Sequence, residues 1–160
     1  MPEEALPEII AAAGLYLRSR ELTCAVIAQR LGLEPSRTVD KGSPLPSKDF
    51  DELGGRPIRT RNHMFILEVR RSYLRANSVT APNVLEEVLD ELLMKVEPVA
   101  GKLEELRDSV SRGLQCFFVS PDNPGGFRLS REIFRRIAAL QLSASFHVGT
   151  IRREEGQQEG

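Results

Sequence analysis

The sequence predicts an α+β domain: a mainly antiparallel sheet of four to five strands with three to four helices, in the ferredoxin-like order βαββαβ plus an appended helix and strand. Three observations carry this. Short apolar or alternating runs recur near residues 11–18, 63–71, 113–119 and 142–148; apolar side chains at alternating spacings of four and three fill 85–106; and helix start and stop signals separate the two kinds of run.

Leu15 and Leu17 alternate with Gly14, Tyr16 and Arg18, which makes a first strand reaching back into Ala11, Ala12 and Ala13. The next stretch, 22–37, holds a short helix with legible ends. Thr23 is its N-cap, Leu22 and Ile27 form a hydrophobic staple around that cap, and Gly32 stands where a left-handed C-terminal cap is wanted. Pro35 forbids continuation. Residues 37–41 read as a short strand, and 42–61, with Pro44, Pro46, Gly54, Gly55 and Pro57, as a long connection of the kind that carries function, mobility or both.

A second clear strand covers 63–71, with Phe65, Leu67 and Val69 on one face and Met64 and Ile66 on the other. Thr80 and Pro82 then open a helix whose apolar positions are Leu85, Leu89, Leu92, Val96, Val99, Leu103 and Leu106. This spacing imitates a coiled-coil seam. Val84, Val88 and Leu93 widen the stripe beyond such a seam, however, and Pro98 removes an amide while clashing with the carbonyl four residues back. Two consecutive helices, or one with a sharp kink, are expected on the sheet. Residues 113–119 form another strand with apolar side chains on both faces, Leu114, Cys116 and Phe118 against Phe117 and Val119, ended by a turn at 121–126. Ser130 caps the last helix, Leu129 and Phe134 staple it, and Ile133, Ile137 and Leu140 supply its buried side. The closing strand alternates Leu142, Ala144, Phe146 and Val148 with Ser143, Ser145 and His147.

At 160 residues the chain has the length of one ordinary domain. The expected division is a flexible segment over 1–10, a single α+β domain over 11–150 and a flexible tail over 151–160. A formal charge of −1 gives no global argument for a polyanion or a membrane surface. Two isolated cysteines cannot build a disulfide framework and fit a reducing cytoplasm. Glu3, Glu4 and Glu8 precede the apolar stretch 9–17 where a secretory leader needs basic residues, and no run approaches the ~18 apolar residues of a membrane helix. A cytoplasmic protein without membrane contact is the expectation.

Motifs for chemistry are few. No GxGxxG or GxxxxGK[ST] occurs to cradle phosphate, and Gly54-Gly55 and Gly125-Gly126 read as turns. No HxxxH or CxxC points to zinc, so no metal and no cofactor is expected, although a fold that gathered His63, His147 and an acid would escape this test. Cys24 opens a helix, where unpaired amides and the dipole favour a thiolate, but no base or oxyanion donor can be named beside it; a half-buried structural thiol is the preferred reading, and Cys116 reads as core. No GxSxG elbow marks a serine nucleophile. The carboxylate pairs Glu86-Glu87, Asp90-Glu91 and Glu104-Glu105 read as the solvated face of their helices.

Charge is distributed unevenly. Arg56, Arg59, Arg61, Arg70, Arg71 and Arg75 accompany a single acid, Glu68, whereas 84–108 carries eight acids against Lys95, Lys102 and Arg107. Basic residues beside Phe65 and Tyr73 would suit a single-strand nucleic-acid binder, yet the RRM signature is absent; arginines that flank a core strand and pair with acidic helices are the preferred reading, and nucleic acid is not the expected partner.

On the run Leu31-Gly32-Leu33-Glu34-Pro35-Ser36-Arg37, followed by Lys41-Gly42, the chain resembles the bacterial family called domain of unknown function 4279. The likeness continues through Glu97-Pro98, the strand before Pro121, Phe127-Arg128-Leu129-Ser130 and the closing strand, and spans 15–148. Two positions depart from the pattern. The Trp such proteins often place in the strand after the long loop is missing around Phe65, and the usual acidic residue and Tyr near the end are replaced by His147 and Val148. The resemblance implies a small bacterial α+β domain and brings no activity, substrate or catalytic residue.

Two functional expectations follow. In the first, helices cover one sheet face and Met64, Ile66, Phe117 and Val119 leave the other apolar, so the chain is a noncatalytic binding or interaction domain, a homodimer or a partner-inhibiting, immunity-like protein. In the second, Arg59, Arg61 or His63 grips an anionic small-molecule substrate of an enzyme, beside the loop over 42–61.

Overall fold

The computed structural model describes residues 9–44, 59–73, 81–120 and 127–150. Strand β1 (Ile9–Ser19) leads through α1 (Cys24–Leu31) to the short β2 (Arg37–Val39), and β3 (His63–Tyr73) precedes α2 (Ala81–Val96). A single 3-10 turn (Glu97–Val99), α3 (Ala100–Glu105), β4 (Ser111–Ser120), α4 (Arg131–Ala139) and β5 (Ser143–Thr150) complete the order. The connection expected over 42–61 lies outside the described residues at 45–58, as do the turn at 121–126 and the termini at 1–8 and 151–160. Ile9 and Ile10, expected in a flexible segment, already belong to β1.

Local signals account for the helix ends. Thr23 Oγ1 accepts from the Val26 amide at 3.3 Å, and Gly32 takes φ 69°, where its amide donates to the Ala28 carbonyl at 2.8 Å. Ser130 Oγ accepts from the Ile133 amide in the same way. Pro98 divides the long helix as predicted, standing at the start of the 3-10 turn that separates α2 from α3. Phe134 is a correction: it is 53% exposed and gives the start of α4 no buried staple.

The five strands form one mixed sheet in the order β2-β3-β1-β4-β5. β1 is central and antiparallel to both β3 and β4, and β2 is antiparallel to β3, so β1 and β2 run in the same direction with β3 between them. β5 pairs parallel with β4. The predicted ferredoxin-like order is therefore not matched as written, and the sheet is not purely antiparallel. The reason is the α4 crossover, which is long enough to return the chain to the sheet edge in the direction of β4.

One core holds the layers together. Ala11, Ala13, Leu15 and Leu17 of β1, Phe65, Leu67 and Val69 of β3, and Leu114, Cys116 and Phe118 of β4 share it with Cys24, Ile27 and Leu31 of α1, the α2 stripe from Val84 to Val96, Leu103, Ile133 and Ile137. These strand positions alternate, so they belong to one sheet face. The small side chains of Ala11 and Ala13 on the central strand leave room for the leucines of α2, four of which are fully buried. Ala12, Tyr16 and Ile66, buried on the opposite face, do not join the cluster. Acidic residues on the outer sides of the helices pair with arginine: Arg71 of β3 reaches Glu91 at 2.7 Å and Glu87 at 3.5 Å, and Arg136 of α4 donates to Asp90 at 2.6 Å and, through Nε, to Glu97 at 2.9 Å. Among the described residues, no helix is long and apolar enough to cross a membrane.

Candidate functional site

Among the described residues the helices pack on one face of the sheet, and the other, helix-free face is set out in rows by strand register. Read from β2 towards β5, these are Val39-Met64-Arg18-Ser111, Arg37-Ile66-Tyr16-Gly113-Ser143, Glu68-Gly14-Gln115-Ser145, Arg70-Ala12-Phe117-His147 and Ser72-Ile10-Val119-Gly149. All four residues expected at an interface, Met64, Ile66, Phe117 and Val119, therefore lie on this face. They form two patches. Met64 and Ile66 flank Tyr16 at one end, Phe117 and Val119 stand with Ala12 and Ile10 at the other, and the polar row through Gly14 separates them.

Exposure corrects part of the expectation. Ile66 is only 1% exposed, shielded within the protein where Tyr16 and Arg37 are its cross-strand neighbours, so it offers no contact surface. Met64, Phe117, Val119 and Ile10 are half-buried. His147 stacks on Phe117 with ring centroids 4.9 Å apart and planes 16° from parallel, which extends the apolar patch on to β5. Arg18, Arg37 and Arg70 rise exposed around the face.

The proposed anion grip divides differently. Arg59 Nη1 donates to the Gly42 carbonyl at 2.8 Å, and His63 Nδ1 accepts from the Lys41 amide at 3.2 Å. Thr60 completes the fastening: its hydroxyl donates to the Asp40 carbonyl, and its backbone exchanges hydrogen bonds with Ser43 and Gly42. Arg59 and His63 are thus occupied in holding the 40–44 turn against the start of β3. Arg61 is exposed, with no hydrogen bond or ion pair to a described residue. The LGLEP exit is held in the same manner, Ser36 Oγ accepting from the Glu68 amide at 2.9 Å and donating to its carbonyl at 3.2 Å.

The two histidines do not meet. His63 lies on β3 and His147 on β5, with β1 and β4 between them, a lateral separation of roughly 14 Å at normal strand spacing. Among the described residues, no group of three or more His, Cys, Asp or Glu is placed to hold a metal ion. Both thiols are core. Cys24 is buried with its Sγ 3.8 Å from the Val39 carbonyl, and burial pushes its thiol up in pKa, against the lowering expected from a helix N-terminus. Burial alone pushes Cys116 up to about 12.

Sequence reasoning missed Tyr16, Arg18, Gly113, Gln115 and Ser145 as neighbours on one surface. The alternation of β1 places Gly14, Tyr16 and Arg18 together; Gly113, Gln115 and Ser145 join them only through the pairing of β4 with β1 and of β5 with β4. No curated protein and no solved structure matches this chain. A family model does match, over residues 8–149, and by it the chain belongs to the family described as Domain of unknown function (DUF4279).

Proposed function

We propose that the protein is a noncatalytic interaction domain that works through the helix-free face of its sheet, and that in the isolated protein a second copy covers the Phe117 and Val119 end of that face. The observation that carries this reading is the patch of Ile10, Ala12, Phe117 and Val119, extended by His147, on a surface to which no helix among the described residues contributes. An apolar sheet face gains most of its stabilisation when a second surface removes it from water. A net charge of −1 places little electrostatic barrier against self-association, and Glu68 and Arg70 on the same strand give a two-fold copy both signs to pair. An inhibitory, immunity-like role would direct the same patch at a different protein. We place this activity in the cytoplasm of a bacterium, and we read β1 to β4 with α1 and the α2–α3 pair as a ferredoxin-like core to which α4 and β5 are appended.

Sedimentation equilibrium over a wide concentration range tests the reading. A concentration-dependent dimer, lost in Phe117→Asp while the circular dichroism stays native, is the expected result. A wild-type chain that stays monomeric at millimolar concentration rules out the second copy.

A further inference from the structure

Gly113 lies within β4, where a glycine weakens a strand and often marks a close approach over the backbone. Its row neighbours are Tyr16 on β1 and Ser143 on β5, and a Cβ at this position would come within 2.9 Å of Ser143 Oγ. On β1 the Tyr16 ring folds over Gly14, so closely that a Cβ there would lie 2.8 Å from Tyr16 Cε2. A trough of about 220 Å3 results, with Gly113 among its lining residues and Tyr16, Gln115 and Ser145 beside it. No carboxylate lines this trough, whereas a phenol, an amide and serine hydroxyls do.

Arg18 stands at one end, exposed, its guanidinium without an ion pair or hydrogen bond to any described residue. With Ser111 it also borders a second cleft of about 510 Å3 that adds Arg20 and Arg107. Glu21 and Asp108 line that cleft too, and Arg107 is held by Glu104 at 2.9 Å. Of the three arginines lining this cleft, Arg18 and Arg20 have guanidinium groups without a partner among the described residues.

We propose that the trough binds a small organic oxyanion, a carboxylate or a phosphate ester, with its charge on Arg18 and its body over Gly113 against Tyr16. Guanidinium matches either oxyanion with two parallel hydrogen bonds, and the surrounding hydroxyls and amide supply further donors. The volume equals that of roughly seven water molecules, enough for one small ring and its charged group. This goes beyond the interaction reading, because Phe117 lies four residues along β4 from Gly113, roughly 13 Å away.

The test is a proton–nitrogen NMR titration of the full chain with benzoate, phenyl phosphate and inorganic phosphate at constant ionic strength. The amides of Gly113, Gln115 and Ser145 move with benzoate or phenyl phosphate, and the tighter of the two identifies the oxyanion. Arg18→Gln weakens binding about tenfold, the loss of one charge-assisted contact, while Arg61→Gln leaves it unchanged. Gly113→Ala, whose Cβ would displace Ser143 Oγ from 2.9 Å, weakens the aromatic probes; Ser145→Val, at an exposed position, reads the same contact in a second variant. The proposal is overturned if neither aromatic probe moves the trough amides at millimolar concentration, if Arg61→Gln weakens binding as much as Arg18→Gln, or if inorganic phosphate binds as tightly as phenyl phosphate.

Discussion

Arg112 Nη2 lies 2.8 Å from Glu104 Oε2, joining the start of β4 to the last turn of α3. The Arg112 side chain is only 10% exposed, and it also donates to the Leu103 carbonyl and to Gln141 Oε1, both at 3.4 Å. One guanidinium thus ties a helix C-terminus, a strand and the approach to β5.

That hydrogen bond, with Arg107 nearby, holds the Glu104 carboxyl below its ordinary pKa. A depressed carboxylate contributes stability that is present above the unfolded pKa and is lost as pH falls through the folded one. Arg112→Met should therefore lower the melting temperature at neutral pH, and the gap from wild type should narrow on acidification below pH 4.5, the ordinary Glu104 value. Melting curves across that range check it, and a gap independent of pH would remove the linkage.

Cys116 should resist alkylation in the native protein at mildly alkaline pH and react only on unfolding, since the thiolate is the reactive form. Cys24 should be slow for the same reason. A raised thiol pKa stabilises the fold below the unfolded value, and this contribution declines as pH rises from there towards about 12 for Cys116. Mass spectrometry after a timed iodoacetamide pulse, with and without denaturant, reads the reactivity; rapid native labelling of both thiols would contradict their placement in the core.

Gly32→Ala should cost about 1 kcal/mol, the strain of a Cβ in left-handed backbone. Space is available, because the nearest atom to that Cβ would be Lys102 Nζ at 3.7 Å, so the cost comes from φ 69° alone. Urea unfolding measures it. Gly32→Asn, a residue more tolerant of this conformation, should recover part of the loss.

Leu89→Ala should destabilise by about 2–5 kcal/mol, because this α2 side chain is fully buried against the sheet. On the same helix Met94 is 64% exposed, and Met94→Ala should stay within about 0.5 kcal/mol. Similar losses in both would mean that α2 packs on the sheet by a different side.

Much of the architecture was legible because it depends on neighbours in the chain. Thr23, Gly32 and Ser130 bound their helices through hydrogen bonds that span a few residues, and Pro98 broke the leucine-rich helix at its own position. The sheet was less legible. Alternation groups Val148 with Leu142, Ala144 and Phe146 on the closing strand, but it does not show that Val148 is 48% exposed, which follows from the place of β5 at the sheet edge. Charge along the chain points to an anion grip of Arg59, Arg61 and His63, whereas the fold engages Arg59 and His63 with carbonyl and amide groups of the 40–44 turn.

Local periodicity and capping thus settled the helices, the strands, and which alternate side chains share a face, since those depend on spacings of two to four residues. Tertiary structure decided that β5 runs parallel to β4, that Ile66 is covered while Phe117 is only half-buried, and that Tyr16, Gly113 and Ser143 stand in one row. These relationships join residues up to 127 positions apart, and strand pairing across such distances is selected by burial of the whole sheet, which no local pattern encodes.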